Sequence, residues 1–281
     1  MTSGILAVVG DLVEDVIVWH RRPVHYATDN TAAVFRTRGG SAANVGAAAA
    51  ALCPVRFIGR VGDDVLADSL TAQLEDAGID VRVQREGRTG TIVILVDETG
   101  ERTMFPDRGA AAKLGPIDEE VLDGVAWLHV PFYGFTTPVS SAAIRELARV
   151  AASRGIAVSV DLSSLAVLRE TGTETVRTLL ADLRPDVVFA NTEEAECVGL
   201  LERPIGLSIV KAGPNPVTIV SDEGMRQVSV RPVDTVADAT GAGDAFAAGY
   251  IARALDGGGP EECALAGSER AAIALRTPGA V

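Results

Sequence analysis

Short apolar runs alternating with helix-patterned stretches constrain this chain more than any other feature. Strands buried on both faces and separated by helices pair in parallel, with helices covering the sheet. Residues 5–9 (Ile-Leu-Ala-Val-Val) form the first such run, closed by Gly10. Further runs at 55–58, 127–130, 157–161, 187–190 and 208–210 alternate with helical patterns at 41–52, 65–76, 138–153, 173–182 and 193–199. Helices at 242–255 and 261–275 follow an edge hairpin of 217–220 and 227–230, turned through Asp222-Glu223-Gly224. The spacing predicts an α/β fold around a mostly parallel sheet.

Two stretches break that texture. Residues 16–19 and 32–35, then 91–96 and 102–105 around Glu98-Thr99-Gly100, read as half-exposed antiparallel strands. Separated by one strand-helix unit, they are expected to meet as a small sheet, a lid formed by about 12–37 and 80–108. At 281 residues, one large domain spanning 1–281 is the expectation.

Composition narrows the function classes. A net charge of −13 argues against a nucleic-acid partner, which requires a basic surface to displace counterions. It leaves room for a nucleotide, since backbone N–H groups and a metal ion can hold phosphates whatever the overall charge. No run approaches the ~18 apolar residues of a membrane span. Residues 1–10 lack the basic flank and cleavage site of a signal peptide, so a cytoplasmic location is expected. Cys53, Cys197 and Cys263 are too scattered for a disulfide framework or a zinc site and read as small buried hydrophobes.

The densest chemistry lies in Asp238-Ala239-Thr240-Gly241-Ala242-Gly243-Asp244-Ala245-Phe246, a glycine-rich turn opening into an amphipathic stretch. Free N–H groups in a helix's first turn, backed by the positive end of its dipole, make a phosphate cradle. Asp244 lies in that turn, where its carboxylate should stay ionised and accept a proton from an attacking hydroxyl. The plainer alternative has Thr240 capping the helix and Asp244 complementing its dipole. A dinucleotide fingerprint fails at Phe246, where its third glycine belongs, and a P-loop fails because neither lysine follows a glycine. A serine-hydrolase elbow around Ser41 fails at Ala43.

With that signature the sequence resembles the ribokinase-like (PfkB) carbohydrate kinase family, differing at Ala239, where threonine is usual. Two more family signatures appear in order: Gly39-Gly40-Ser41-Ala42-Ala43-Asn44 opening a helix, and Asn191-Thr192-Glu193-Glu194 after a predicted strand. The resemblance implies a three-layer sandwich with a central mostly parallel sheet flanked by helices, plus a small antiparallel β lid. It also implies a transferase: ATP-dependent, magnesium-using phosphorylation of a small sugar or sugar-acid hydroxyl. A nucleoside kinase of the same fold, or a sensor that binds sugar or nucleotide without catalysis, are the alternatives. The presence of Asp244 counts against the sensor.

Roles follow from the resemblance residue by residue. Asp244 is the catalytic base, and the N–H groups of Gly241, Ala242 and Gly243 hold developing negative charge. Asp15 anchors sugar hydroxyls, with Gly39, Gly40 and Asn44 completing the sugar site; Asn44 as a surface helix residue is the plain alternative. Asn191 and Glu194 organise Mg2+ and its waters, unless Asn191 is simply a helix cap. Lys211 and Gly213 belong to the nucleotide-side loop, Lys211 being otherwise a solvated charge. Ser268 falls near the adenine. Asp238 and Thr240, with carbonyls near Gly279, resemble a K+ site. Arg108 is expected at the substrate, within an arginine group (Arg36, Arg38, Arg88, Arg102, Arg108) on the lid segments. Such a group suits a sugar acid or sugar phosphate, unless it merely faces solvent. The exposed lid face, with Trp19, Tyr26, Phe35 and Phe105, suggests a homodimer through the lid.

Overall fold

The computed structural model describes residues 4–20, 22–233, 236 and 239–276. Thirteen strands are formed among them: β1 (Ile5–Val9), β2 (Val13–Trp19), β3 (Ala33–Gly39), β4 (Val55–Val61), β5 (Asp80–Arg85), β6 (Thr89–Val96), β7 (Arg102–Gly109), β8 (Val125–Pro131), β9 (Ala157–Asp161), β10 (Val187–Asn191), β11 (Leu207–Lys211), β12 (Val217–Ser221) and β13 (Gly224–Val228). The helices are α1 (Ser41–Ala49), α2 (Val65–Asp76), α3 (Pro138–Ser153), α4 (Leu165–Thr171), α5 (Thr173–Leu183), α6 (Thr192–Val198), α7 (Ala242–Leu255) and α8 (Pro260–Ala274).

Nine strands form one sheet in the order β13-β12-β11-β10-β9-β8-β1-β4-β5. Every pairing from β5 to β11 is parallel, and the β12–β13 hairpin joins antiparallel at one edge. Apolar side chains on both strand faces demand two cores, and two are present. One packs α1, α2, α7 and α8 through residues such as Val45, Leu74, Phe246 and Ile251. The other packs α3, α4, α5 and α6 through Ile144, Leu168, Leu180 and Val198. This is the expected three-layer arrangement.

The second sheet has four strands in the order β3-β2-β6-β7. Its two hairpins are antiparallel and meet along the parallel pair β2–β6, with Asp15 opposite Ile92. The segment 80–108, expected wholly within the lid, divides instead. Residues 80–85 are β5, paired to β4 through Arg56↔Asp80 to Val61↔Arg85 at the edge of the large sheet. An edge strand is half exposed, so Asp-Val-Arg-Val-Gln-Arg carries the same alternation as a lid strand. Helix α4, which the sequence reading passed over, is seven residues long and starts where Ser164 Oγ accepts from the Val167 N–H.

One apolar face was expected on the small sheet, but both faces carry exposed apolar groups. Register puts Phe35, Ile17, Ile94 and Met104 in one row on the face of Asp15, and Phe105 and Val93 on the other. Phe35, Met104 and Phe105 are each more than half exposed.

Candidate active site

In the α/β architecture, ligands collect at the carboxyl ends of parallel strands. Here β9, β10 and β11 end in Asp161, Asn191 and Lys211, facing the start of α7. Gly241, in the left-handed region with φ 72°, turns the chain into α7 and places Asp244 in its first turn. From the same face of the sheet α1 approaches α7. Its entry depends on glycine: Gly40 has φ 100°, and a Cβ there would strike the Asp11 carbonyl, while one on Gly39 would strike the Asp15 carboxylate.

The two helix starts touch through side chains. Ser41 Oγ donates to Asp244 Oδ1 at 2.6 Å, and Asn44 Nδ2 donates to Asp244 Oδ2 at 3.2 Å. Ser41 is the first residue of α1 after Gly40, and its hydroxyl serves Asp244. Asn44 is buried, which removes its surface-helix alternative; its Oδ1 has no partner among the described residues. Thr240 does not cap α7, which has no side-chain cap.

Asp244 retains some exposed surface, yet protein groups enclose its carboxylate. Burial pushes its pKa up from 3.8 to about 6, aided by Asp161 and opposed by the Ser41 and Asn44 hydrogen bonds and by Lys211. At about 6 the carboxylate is still mostly ionised at pH 7, although burial makes it a weaker acid than an exposed aspartate. Asp15, 9% exposed, is likewise raised by burial to about 6, with Arg102 and Arg38 opposing.

The arginine group separates into different fates. Arg38 is only 7% exposed and donates to the Ala43 carbonyl at 3.2 Å. Burial lowers its pKa, while Asp244 and Asp15 pull it back up, so one guanidinium lies within the fields of both acids. Arg36 is largely exposed and bound to Glu14; Arg88 is exposed and bound to Asp107. Arg108, expected at the substrate, has its fork occupied by Asp11: Nε to Oδ2 at 2.5 Å and Nη2 to Oδ1 at 2.8 Å, with Nη1 donating to Thr136. That largely buried pair ties β7 to the turn after β1.

On the opposite side, Lys211 Nζ donates to Asp161 Oδ2 at 2.7 Å with both side chains largely buried, so its solvated reading fails. Asn191 caps α6, its Oδ1 accepting from the Glu194 N–H at 2.8 Å, while Glu194 Oε2 accepts from the Asn191 N–H at 2.9 Å. The cap and the acidic site therefore share residues. Burial, with Asp161 beside it, raises Glu194 to about 6, opposed by the Asn191 N–H and Lys211. Gly213, at φ 58°, faces open space. Ser268 turns back to the Ala264 carbonyl within α8. Asp238 and Gly279 lie outside the described residues.

Five groups that the sequence reading did not assign complete the cluster: Asp11, Arg38 as a buried cation, Ser41, Asp161 and Tyr133. Tyr133 is raised by burial and by Asp244, Glu194 and Asp11, with a hydrogen bond to Ser164 opposing. Asp161 had a legible signal, since it ends an apolar strand at the carboxyl edge.

Comparison with known proteins identifies the family. The profile described as pfkB family carbohydrate kinase matches residues 6–281. An "ATP-dependent ribose-1-phosphate kinase" of Halopiger xanaduensis is 36% identical over 238 residues, covering 79% of this chain and 75% of the relative. The crystal structure of a probable sugar kinase from Rhizobium etli superposes with a TM-score of 0.89 at 25% identity, covering 100% of this chain and 95% of that one. That of adenosine kinase from Sinorhizobium meliloti gives 0.86 at 25% identity, covering 100% and 96%. The chain therefore belongs to the pfkB family of carbohydrate kinases.

Proposed function

We propose that this kinase moves the γ-phosphate of ATP to a hydroxyl of a small sugar bearing an acidic group, a sugar acid or sugar phosphate, with Asp244 as the base. The observation that carries the reading is the position of the Asp244 carboxylate. It is held by Ser41 and Asn44 across the mouth of a glycine-started helix, and acts with Asp15 on the charge of the buried Arg38. Asp15 accepts from sugar hydroxyls, Asn44 Oδ1 accepts from another, and Gly39 and Gly40 let the substrate reach the backbone. The N–H groups of Gly241, Ala242 and Gly243 take up charge on the transferring group. Gly213, Thr240 and Ser268 lie on the nucleotide side. Glu194, an oxygen donor among buried acids, suits a hard cation that keeps its waters; Mg2+ arriving with ATP would be held there and would neutralise phosphate charge. K+ beside Asp238 and Thr240 is part of the same proposal.

Arg38 and Arg102, whose charges act on Asp15, support an anionic substituent, as does the relative named for ribose 1-phosphate. Measuring ADP release from ATP with ribose, fructose, ribose 1-phosphate, 2-keto-3-deoxygluconate, adenosine and cytidine tests both halves. The expected result is a kcat/KM at least tenfold higher for an anionic sugar than for any neutral acceptor. No ADP above background with any acceptor would sink the kinase reading. A nucleoside as best acceptor would sink only the anionic-sugar part.

The four-stranded sheet acts in this reading as a lid, and a second copy of the chain covers its exposed apolar groups. Sedimentation should give a dimer that Phe35→Glu or Phe105→Glu converts to a monomer. A monomeric wild type would overturn that assembly.

A further inference from the structure

Of 25 basic residues only Lys113 and Lys211 are lysines. One of the two occupies a largely buried cationic position beside the candidate base, in a chain whose other basic residues are almost all arginine. Lys211 ends β11, in register with Asn191, and its ammonium is hydrogen-bonded to Asp161 at the end of β9. It also lies against α7: a Cβ built on Gly243 would stand 3.3 Å from Nζ. The ammonium thus adjoins the first-turn N–H groups that face the phosphates, with Asp244 one residue further along. A guanidinium is planar and broader, whereas an ammonium is a compact point charge that fits between a strand end and a helix start.

We infer that Lys211 is a catalytic residue, whose ammonium, aimed by Asp161, neutralises the phosphoryl group as it passes from ATP to the acceptor. This rests on the kinase reading above. In the step, the acceptor O–H gives its proton to the Asp244 carboxylate, and the oxygen forms a bond to the γ-phosphorus. The bond from that phosphorus to the bridging oxygen breaks, and its electron pair leaves on the ADP β-phosphate. Lys211 stays protonated throughout. Burial works against its charge, but Asp161, with Glu194 and Asp244, holds its pKa above the ordinary lysine value. The charge is therefore present at every working pH. Its field also steadies the ionised form of Asp244.

Other roles must be separated from this one. A lysine that only binds ATP would change KM for ATP and leave kcat alone. A lysine that only anchors Asp161 would be matched by loss of Asp161. The experiment compares wild type, Lys211→Met, Lys211→Arg and Asp161→Asn, varying ATP and the best acceptor each in turn so that kcat and both KM values are read. Thermal melts confirm folding, and kcat/KM is followed from pH 5 to 8.

Lys211→Met is expected to lower kcat about 100-fold, the loss typical of one preorganised donor, with KM for the acceptor changed less than about threefold. Its acidic limb should move to higher pH, because Asp244 loses a neighbouring cation. Asp161→Asn should lose less than about tenfold, and Lys211→Arg should recover only part of kcat. Equal losses in Lys211→Met and Asp161→Asn, or an effect confined to KM for ATP, would overturn the inference while leaving the kinase reading intact. If Lys211→Met fails to fold, Lys211→Arg decides: wild-type kcat with an unshifted limb overturns it. An inactive wild type removes the kinase reading and this inference together.

Discussion

Asp244→Asn is expected to lose about 10³-fold or more in kcat while the folded protein gains stability at pH 8. The turnover loss follows from the proposed role: a positioned base contributes about 10²–10⁴-fold, and an amide cannot take the proton. The stability gain follows from burial. Asp244 is raised from 3.8 to about 6, so the folded state holds its proton more tightly than the unfolded chain does. The ionised carboxylate therefore destabilises the fold above about pH 6, and that penalty disappears as pH falls toward 4. About two units correspond to at most about 3 kcal/mol. Residual exposure reduces this, and about 1–2 kcal/mol, or a Tm rise of about 3–6 °C, is the expected net effect.

Local hydrogen bonding can accommodate the change. Ser41 still donates to the amide oxygen, and the buried Asn44 Oδ1, without a partner among the described residues, can turn to accept from the new NH2. Melting curves at pH 8 and pH 5, run beside turnover, check both parts. The Tm difference should be large at pH 8 and shrink at pH 5. A variant that melts lower at pH 8, or retains turnover within tenfold, contradicts the role assigned to this carboxylate.

Such a trade between stability and chemistry marks where the sequence was legible and where it was not. Strands such as Ile5–Val9 and Ala157–Asp161 were readable because full burial in a parallel sheet leaves an uninterrupted apolar run. Glycine signatures were readable because Gly40 and Gly241 answer to backbone geometry rather than to partners distant in sequence. Strand β5 was not, since an edge strand and a lid strand have the same alternation and only pairing separates them.

The electrostatics were the least accessible part. Arg38 and Arg36 are two residues apart on one strand, yet one is buried within the fields of two acids and the other is exposed on Glu14. Nothing local distinguishes them; the packing of α1, whose Ala43 carbonyl accepts from Arg38, does. The same applies to Lys211 and Asp161, fifty residues apart and joined only because β9 and β11 flank β10. For Asp244 the helix start is visible locally, but the burial that raises its pKa, beside Ser41 and Asn44 of α1, depends on residues about two hundred positions away.

That burial has a kinetic signature. Asp15 and Asp244 are both raised to about 6, and in the proposed reaction both must be ionised, one to accept from sugar hydroxyls and one to take the proton. Below pH 6, log kcat/KM should therefore fall with a slope between one and two. In Asp15→Asn one titration disappears and the slope should become one. The same change removes an acid from beside Arg38, leaving more of that cation's field to act on Asp244. The remaining limb should then move to lower pH, opposite to its movement in Lys211→Met. Losing charge-assisted bonds to two hydroxyls, at about 1.5–3 kcal/mol each, should lower kcat/KM for the sugar by at least about 100-fold, mostly through KM. Profiles of kcat/KM from pH 5 to 8 measure slope and midpoint together. A slope that stays near two, or a limb that moves upward, would show that Asp15 and Asp244 do not share one cleft through Arg38.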